Sequence, residues 1–85
     1  MGKATKAQSI RMAIARGLGQ PVPDGLVPAP EDERLYVKTC EDVKRLLDLV
    51  RRMATARDPQ TISESYVSAQ RVMNELYKAL DQNLS

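Results

Sequence analysis

The sequence contains no histidine, no tryptophan and no phenylalanine, and only one cysteine. Each absence removes a class of answer. Without His, the side chain most used to move protons and activate nucleophiles near neutral pH is missing. Cys40 alone cannot form an internal disulfide, which fits a reducing compartment, with the cytoplasm as the expected location. The aromatic residues are Tyr36, Tyr66 and Tyr77 only, so a core has to be built from Leu, Ile, Val, Met and Ala. A chain of 85 residues makes one domain at most. Domains this small commonly gain stability from disulfides, a metal or a partner subunit. With Cys40 alone and no His, the partner subunit is the route left open.

Long apolar runs are also lacking. No window approaches the roughly 18 consecutive apolar residues of a membrane span. The start MGKATKAQSI has no apolar run of the signal-peptide kind, and Lys6 stands where a myristoylation pattern requires Ser or Thr. The expectation is a chain without membrane contact.

What is present is charge in alternating blocks. Residues 1 to 20 carry Lys3, Lys6, Arg11 and Arg16 and no acid, a net +4. Residues 21 to 34 are net −3, residues 35 to 57 net +3 and residues 58 to 85 net −2. Such alternation favours self-association or docking on a complementary surface over one uniform basic face.

Three segments follow from pattern. In residues 1 to 18, Ala7, Ile10, Ala13, Ile14 and Leu18 recur at helical spacing, with Gly17 and Gly19 as a stop. This is a short basic arm, expected to order on contact, its four bases scattered around the wheel. Residues 19 to 30 hold four Pro and two Gly, too many for a helix or a central strand, and read as an extended or turning connector with Asp24-Gly25 as its turn. Residues 31 to 85 read as two helices. Tyr36, Cys40, Val43, Leu47, Val50 and Ala54 are spaced by 4, 3, 4, 3 and 4, and Ile62, Tyr66, Ala69, Met73, Leu76 and Leu80 repeat those intervals. Leu46 and Met53 widen the first stripe, and Val72 and Ala79 the second.

The first of these helices has two possible starts. Pro30 followed by Glu31, Asp32 and Glu33 suits a helix opening, and Thr39 followed by Glu41 and Asp42 suits one equally. Pro59 marks the break between the helices, and Thr61-Ile-Ser-Glu64 reads as a capping box for the second. A connection this short predicts an antiparallel pair with both stripes facing. The expected fold is all-α: a helical hairpin, with the basic N-terminal helix on its Pro-rich connector, completed by oligomerisation or docking on a partner.

The search for chemistry finds no catalytic, cofactor-binding or metal-ligating set. Cys40 sits on the apolar stripe, where a small buried hydrophobe is expected. Glu31, Asp32 and Glu33 are consecutive and point in different directions, unlike the converging ligands of a hard-cation loop. Lys44, Arg45, Arg51 and Arg52 are spaced from Glu41 and Asp48 as intrahelical ion pairs, which describes a solvated face. The expected function is therefore non-enzymatic: a subunit, adaptor or inhibitor acting through its apolar faces on a protein partner or a second copy. The residues expected at that interface are Leu46, Leu47, Val50, Met53, Tyr66, Val72, Met73, Leu76 and Leu80. The alternative is a nucleic-acid-binding accessory protein, with Lys3, Lys6, Arg11 and Arg16 on phosphates. On either reading, deleting residues 1 to 20 should leave the melting point of the helical pair almost unchanged.

Overall fold

The computed structural model describes residues 2–22 and 25–84. The order is β1 (Gly2–Ala4), α1 (Lys6–Gly17), β2 (Leu26–Pro28), a single 3-10 turn (Pro30–Asp32), α2 (Glu33–Thr55) and α3 (Pro59–Leu84). Three helices carry the mass of the fold. Of the turn expected at Asp24-Gly25, only Gly25 lies within the described residues, and its φ of 88° is the left-handed value that a turn glycine supplies.

Residues 2–22 and 25–28 form more local structure than an arm on a tether. Thr5 caps α1, its hydroxyl accepting from the Gln8 N–H at 3.1 Å while the Gln8 side chain accepts from the Thr5 N–H at 2.9 Å. This reciprocal pair satisfies donors that the first turn would otherwise leave orphaned. At the other end, Gly19 adopts φ 78°, and the Gln20 N–H reaches the Ala15 carbonyl at 2.8 Å while that of Gly19 reaches Arg16 at 3.1 Å. That is a Schellman stop, with the glycine in the left-handed position. β1 and β2 then pair in parallel, with Gly2 opposite Leu26, Lys3 opposite Val27 and Ala4 opposite Pro28. A two-stranded ribbon consists of edges, so Pro28 can end it without breaking a central ladder.

α2 is the helix on which the other two pack. The 3-10 turn leads directly into it, so of its two candidate starts the acidic one near Glu31 is used, and Thr39 lies buried in its interior. α1 docks on α2 in the same direction, with Lys6 near Asp32 and Gly17 against Val43. α3 packs on another side of α2. Leu49 meets Ala69 and Val72, with Leu46 and Met53 beside them, while Glu75 lines one cleft with Glu41 and Asp42. Falling numbers on α2 meet rising numbers on α3, so the two run in opposite directions.

The facing stripes differ from the expected ones by one residue on α2. The first four residues of the expected stripe, Tyr36, Cys40, Val43 and Leu47, lie toward α1 and its last two, Val50 and Ala54, are exposed, while the contact with α3 uses Leu46, Leu49 and Met53, about 120° away around the wheel. The width of the apolar face is the reason. One neighbour cannot cover so broad a stripe, so α1 takes one flank and α3 the other. Residues that only widened the pattern, Leu46, Met53 and Val72, have become the α2–α3 core.

The break between α2 and α3 falls at residues 56–58, where Ala56 turns extended with ψ 143°. The cap is displaced from the expected one. Asp58, three residues before Thr61, accepts both the Thr61 N–H and its hydroxyl at 2.8 Å, and Pro59 opens α3. A carboxylate accepts more strongly than a hydroxyl, and Pro at the first helical position has no N–H to leave orphaned. Glu64, expected to complete the box, instead accepts from Gln60 at 3.1 Å.

Candidate interaction surface

The packing leaves one face of α3 without a neighbour. Ile62, Tyr66, Met73 and Tyr77 fall within about 60° of one another at 100° per residue. Tyr66 is 55% exposed, Met73 59% and Tyr77 72%. Next to them around the helix come Gln70, Ser63, Asn74 and Val67, the last also exposed. Between residues 59 and 80 the charged residues of α3 are Glu64, Arg71, Glu75 and Lys78, which fall together in the adjoining sector beyond Val67, and Asp81 near the end of α3 lies in line with Ser63. The result is a sector of about 140° along most of α3 that contains Tyr, Met, Ile, Val and neutral polar groups and no charge. Within it the Gln70 side chain donates to the Tyr66 hydroxyl at 3.2 Å, which holds the phenol against its own helix. Val50 of α2, 52% exposed, lies on the same flank of the α2–α3 pair, beyond the point where α1 stops covering α2.

The residues expected at an interface divide into three sets. Leu46, Met53 and Val72 are occupied inside the chain, in the α2–α3 core. Leu47 is half-buried beside the end of α1, and Leu76 and Leu80 are half-buried on α3. Val50, Tyr66 and Met73 remain exposed. Tyr77, the most exposed large apolar residue described, was missed by the regular 4-3 spacing because it falls outside the expected stripe. Its signal was its place four residues after Met73, on the helical face that Ile62, Tyr66 and Met73 share.

The opposite flank is basic and polar. Arg45, Arg52 and Arg71 line a cleft with Asp48 and Ser68, floored by Leu49 and Val72. The intrahelical pairs expected of Arg45, Arg51, Arg52 and Lys44 are not formed. Among the described residues the single ion pair is Lys6 with Asp32, at 4.0 Å. Exposed long side chains gain little from being held in one geometry, so the spacing permits such pairs without enforcing them. The four bases of the N-terminal segment do not converge: Lys6 points to Asp32, while Arg11 and Arg16 are about 140° apart on α1.

Among the described residues, the side-chain atoms Ser9 Oγ, Thr39 Oγ1 and Asp42 Oδ2 are buried without a partner. Cys40 is buried in α2. Among the described residues no group of three His, Cys, Asp or Glu is placed to hold a metal ion, and no helix is long and apolar enough to cross a membrane. Comparison with protein-family models, with curated proteins and with solved structures finds no match.

Proposed function

We propose that this chain is a protein-docking or assembly module, a subunit, adaptor or inhibitor without catalytic activity, whose working surface is the uncharged face of α3. The observation that carries this reading is the composition of that face together with its exposure. Interface centres are enriched in Tyr and Met and depleted in charge relative to the rest of a protein surface. Here the exposed Tyr66, Met73 and Tyr77 share one face with Ile62, and every charge of that stretch lies elsewhere. A solvated helix would be expected to place charges all around its free side.

A photo-crosslinking amino acid at Tyr66 tests the reading in cells that express the chain. Protein adducts at position 66, absent from the same probe at Glu64, are the expected result. Equal labelling at both positions, or none at either, would remove the α3 face as a docking surface.

A second reading has one observation in its favour. Arg45, Arg52 and Arg71 gather in one cleft with no carboxylate within ion-pair distance, which suits phosphate groups better than the dispersed Lys3, Lys6, Arg11 and Arg16 do. On this reading the chain binds nucleic acid, with an affinity that falls steeply with salt. No binding to a labelled oligonucleotide at low salt excludes it, and binding that persists at high salt removes the arginine–phosphate contacts from it.

A further inference from the structure

We propose that the occupant of the α3 face is a second copy of this chain, its α3 antiparallel to the first across a twofold axis between positions 69 and 70. The inference rests on the reading of that face as a protein interface and names the partner.

The spacing of the exposed residues is the first argument. A twofold interface is made from one patch used twice, so the patch has to complement its own rotated image. Ile62 and Tyr77 are equally distant from position 69.5, and so are Tyr66 and Met73. Antiparallel pairing about that point sets Ile62 against the second copy's Tyr77, and Tyr66 against its Met73. Each contact joins an aromatic ring to a flexible or branched aliphatic chain, and a thioether against a ring is a favourable pairing. A parallel pairing would instead stack Tyr77 on Tyr77 and Ile62 on Ile62.

The second argument is area. The chain exposes 6275 Å², whereas a monomer of 9.5 kDa is expected to expose about 5,000 Å². The excess is larger than the roughly 800 Å² that each partner contributes to a standard interface. Its shape agrees, with Cα extents of 49 × 26 × 15 Å and a radius of gyration of 14.7 Å, against about 12 Å for a compact chain of this length.

The third argument is electrostatic. A twofold axis brings like residues close together near its centre, and charges there would repel. None is present: the residues around the axis on this face are Tyr66, Val67, Gln70, Met73 and Asn74.

The test combines mass with cysteine pairing in a Cys40→Ser background. Light scattering on a sizing column should give twice 9.5 kDa for the native chain. Tyr66→Glu with Met73→Glu should give the single mass with unchanged helicity, because both side chains are exposed in the fold. Under mild oxidation Gln70→Cys should link to itself, and Ile62→Cys should link to Tyr77→Cys when the two variants are mixed. Ile62→Cys alone should not, since its two copies would stand about 22 Å apart at about 1.5 Å per residue. A native chain that stays at the single mass at high micromolar concentration overturns the inference, as does self-linking of Ile62→Cys or the absence of any link at Gln70→Cys. In those cases adducts at Tyr66 to any protein would leave the docking reading standing, and the absence of every such adduct would remove both.

Discussion

Gly17 brings the backbone of α1 onto α2, two residues before Gly19 turns the chain out of the helix: a Cβ built there would lie 2.7 Å from both Cβ and Cγ1 of Val43 and 2.9 Å from the Cys40 carbonyl oxygen. Ala is the better helix former by about 1 kcal/mol, yet overpacking costs about 1–3 kcal/mol. Gly17→Ala should therefore lower the melting temperature, and a rise in a thermal scan would show that α1 sits further from α2. Thr39 is the converse case. It is 1% exposed with its hydroxyl unpartnered, a loss of about 1–3 kcal/mol relative to a hydrated hydroxyl. Val has the same shape, so Thr39→Val should raise the melting temperature by several degrees, about 4–8 °C per kcal/mol at this size. At Asp58, the hydroxyl of Thr61 and then its backbone N–H hold the carboxyl below its ordinary pKa. A group depressed in the folded state stabilises above its unfolded pKa and loses that contribution as pH falls through the folded one. Asp58→Ala should melt below the native chain at pH 7, with the difference shrinking toward pH 2. A difference independent of pH would assign the effect to something other than the ionised cap.

The elements themselves were largely legible in the sequence, because their signals are local. Periodicity placed all three helices, and Pro59 placed the break, since a proline excludes a continuing helix whatever surrounds it. Which faces meet was not legible. On α2 the stripe Tyr36-Cys40-Val43-Leu47 and its neighbour Leu46-Leu49-Met53 are both apolar, and the choice between them depends on a third element that the pattern of a pair does not contain. That third element, α1, read as a marginal arm because its short length and its glycines argue against stability in isolation. Nothing local says that Gly17 is absent of side chain for the sake of contact. The capping residue was missed for a related reason: Asp58 and Thr61 are both good caps, three residues apart, and the stronger acceptor took the position. The expectation for residues 1 to 20 is accordingly reversed. Ile10, Met12 and Ala13 are buried in α1, so Ile10→Asp should place a charge in the α1–α2 contact and lower the melting temperature of the whole chain sharply. An unchanged melting temperature in that variant would restore α1 to the status of an arm.

At the scale of the molecule, one central helix carries two dissimilar flanks, an uncharged one toward the free face of α3 and an arginine-lined one opposite. Such an arrangement makes stability uneven. Amides of α2 between Val43 and Leu49 are covered by both neighbours and should exchange with solvent most slowly, while those of the short β1–β2 ribbon should exchange first. Uniform protection across the three helices would contradict the central role of α2. The docking of α1 on α2 also imposes an order in time. A ribosome adding about 5–20 residues per second makes β1, α1 and β2 before any of α2 exists. For that interval Ile10 and Met12 have nothing to cover them, and the short α1 is helical only in part. Its folding waits for α2, so a segment made earlier than its partner helix becomes secure only after it.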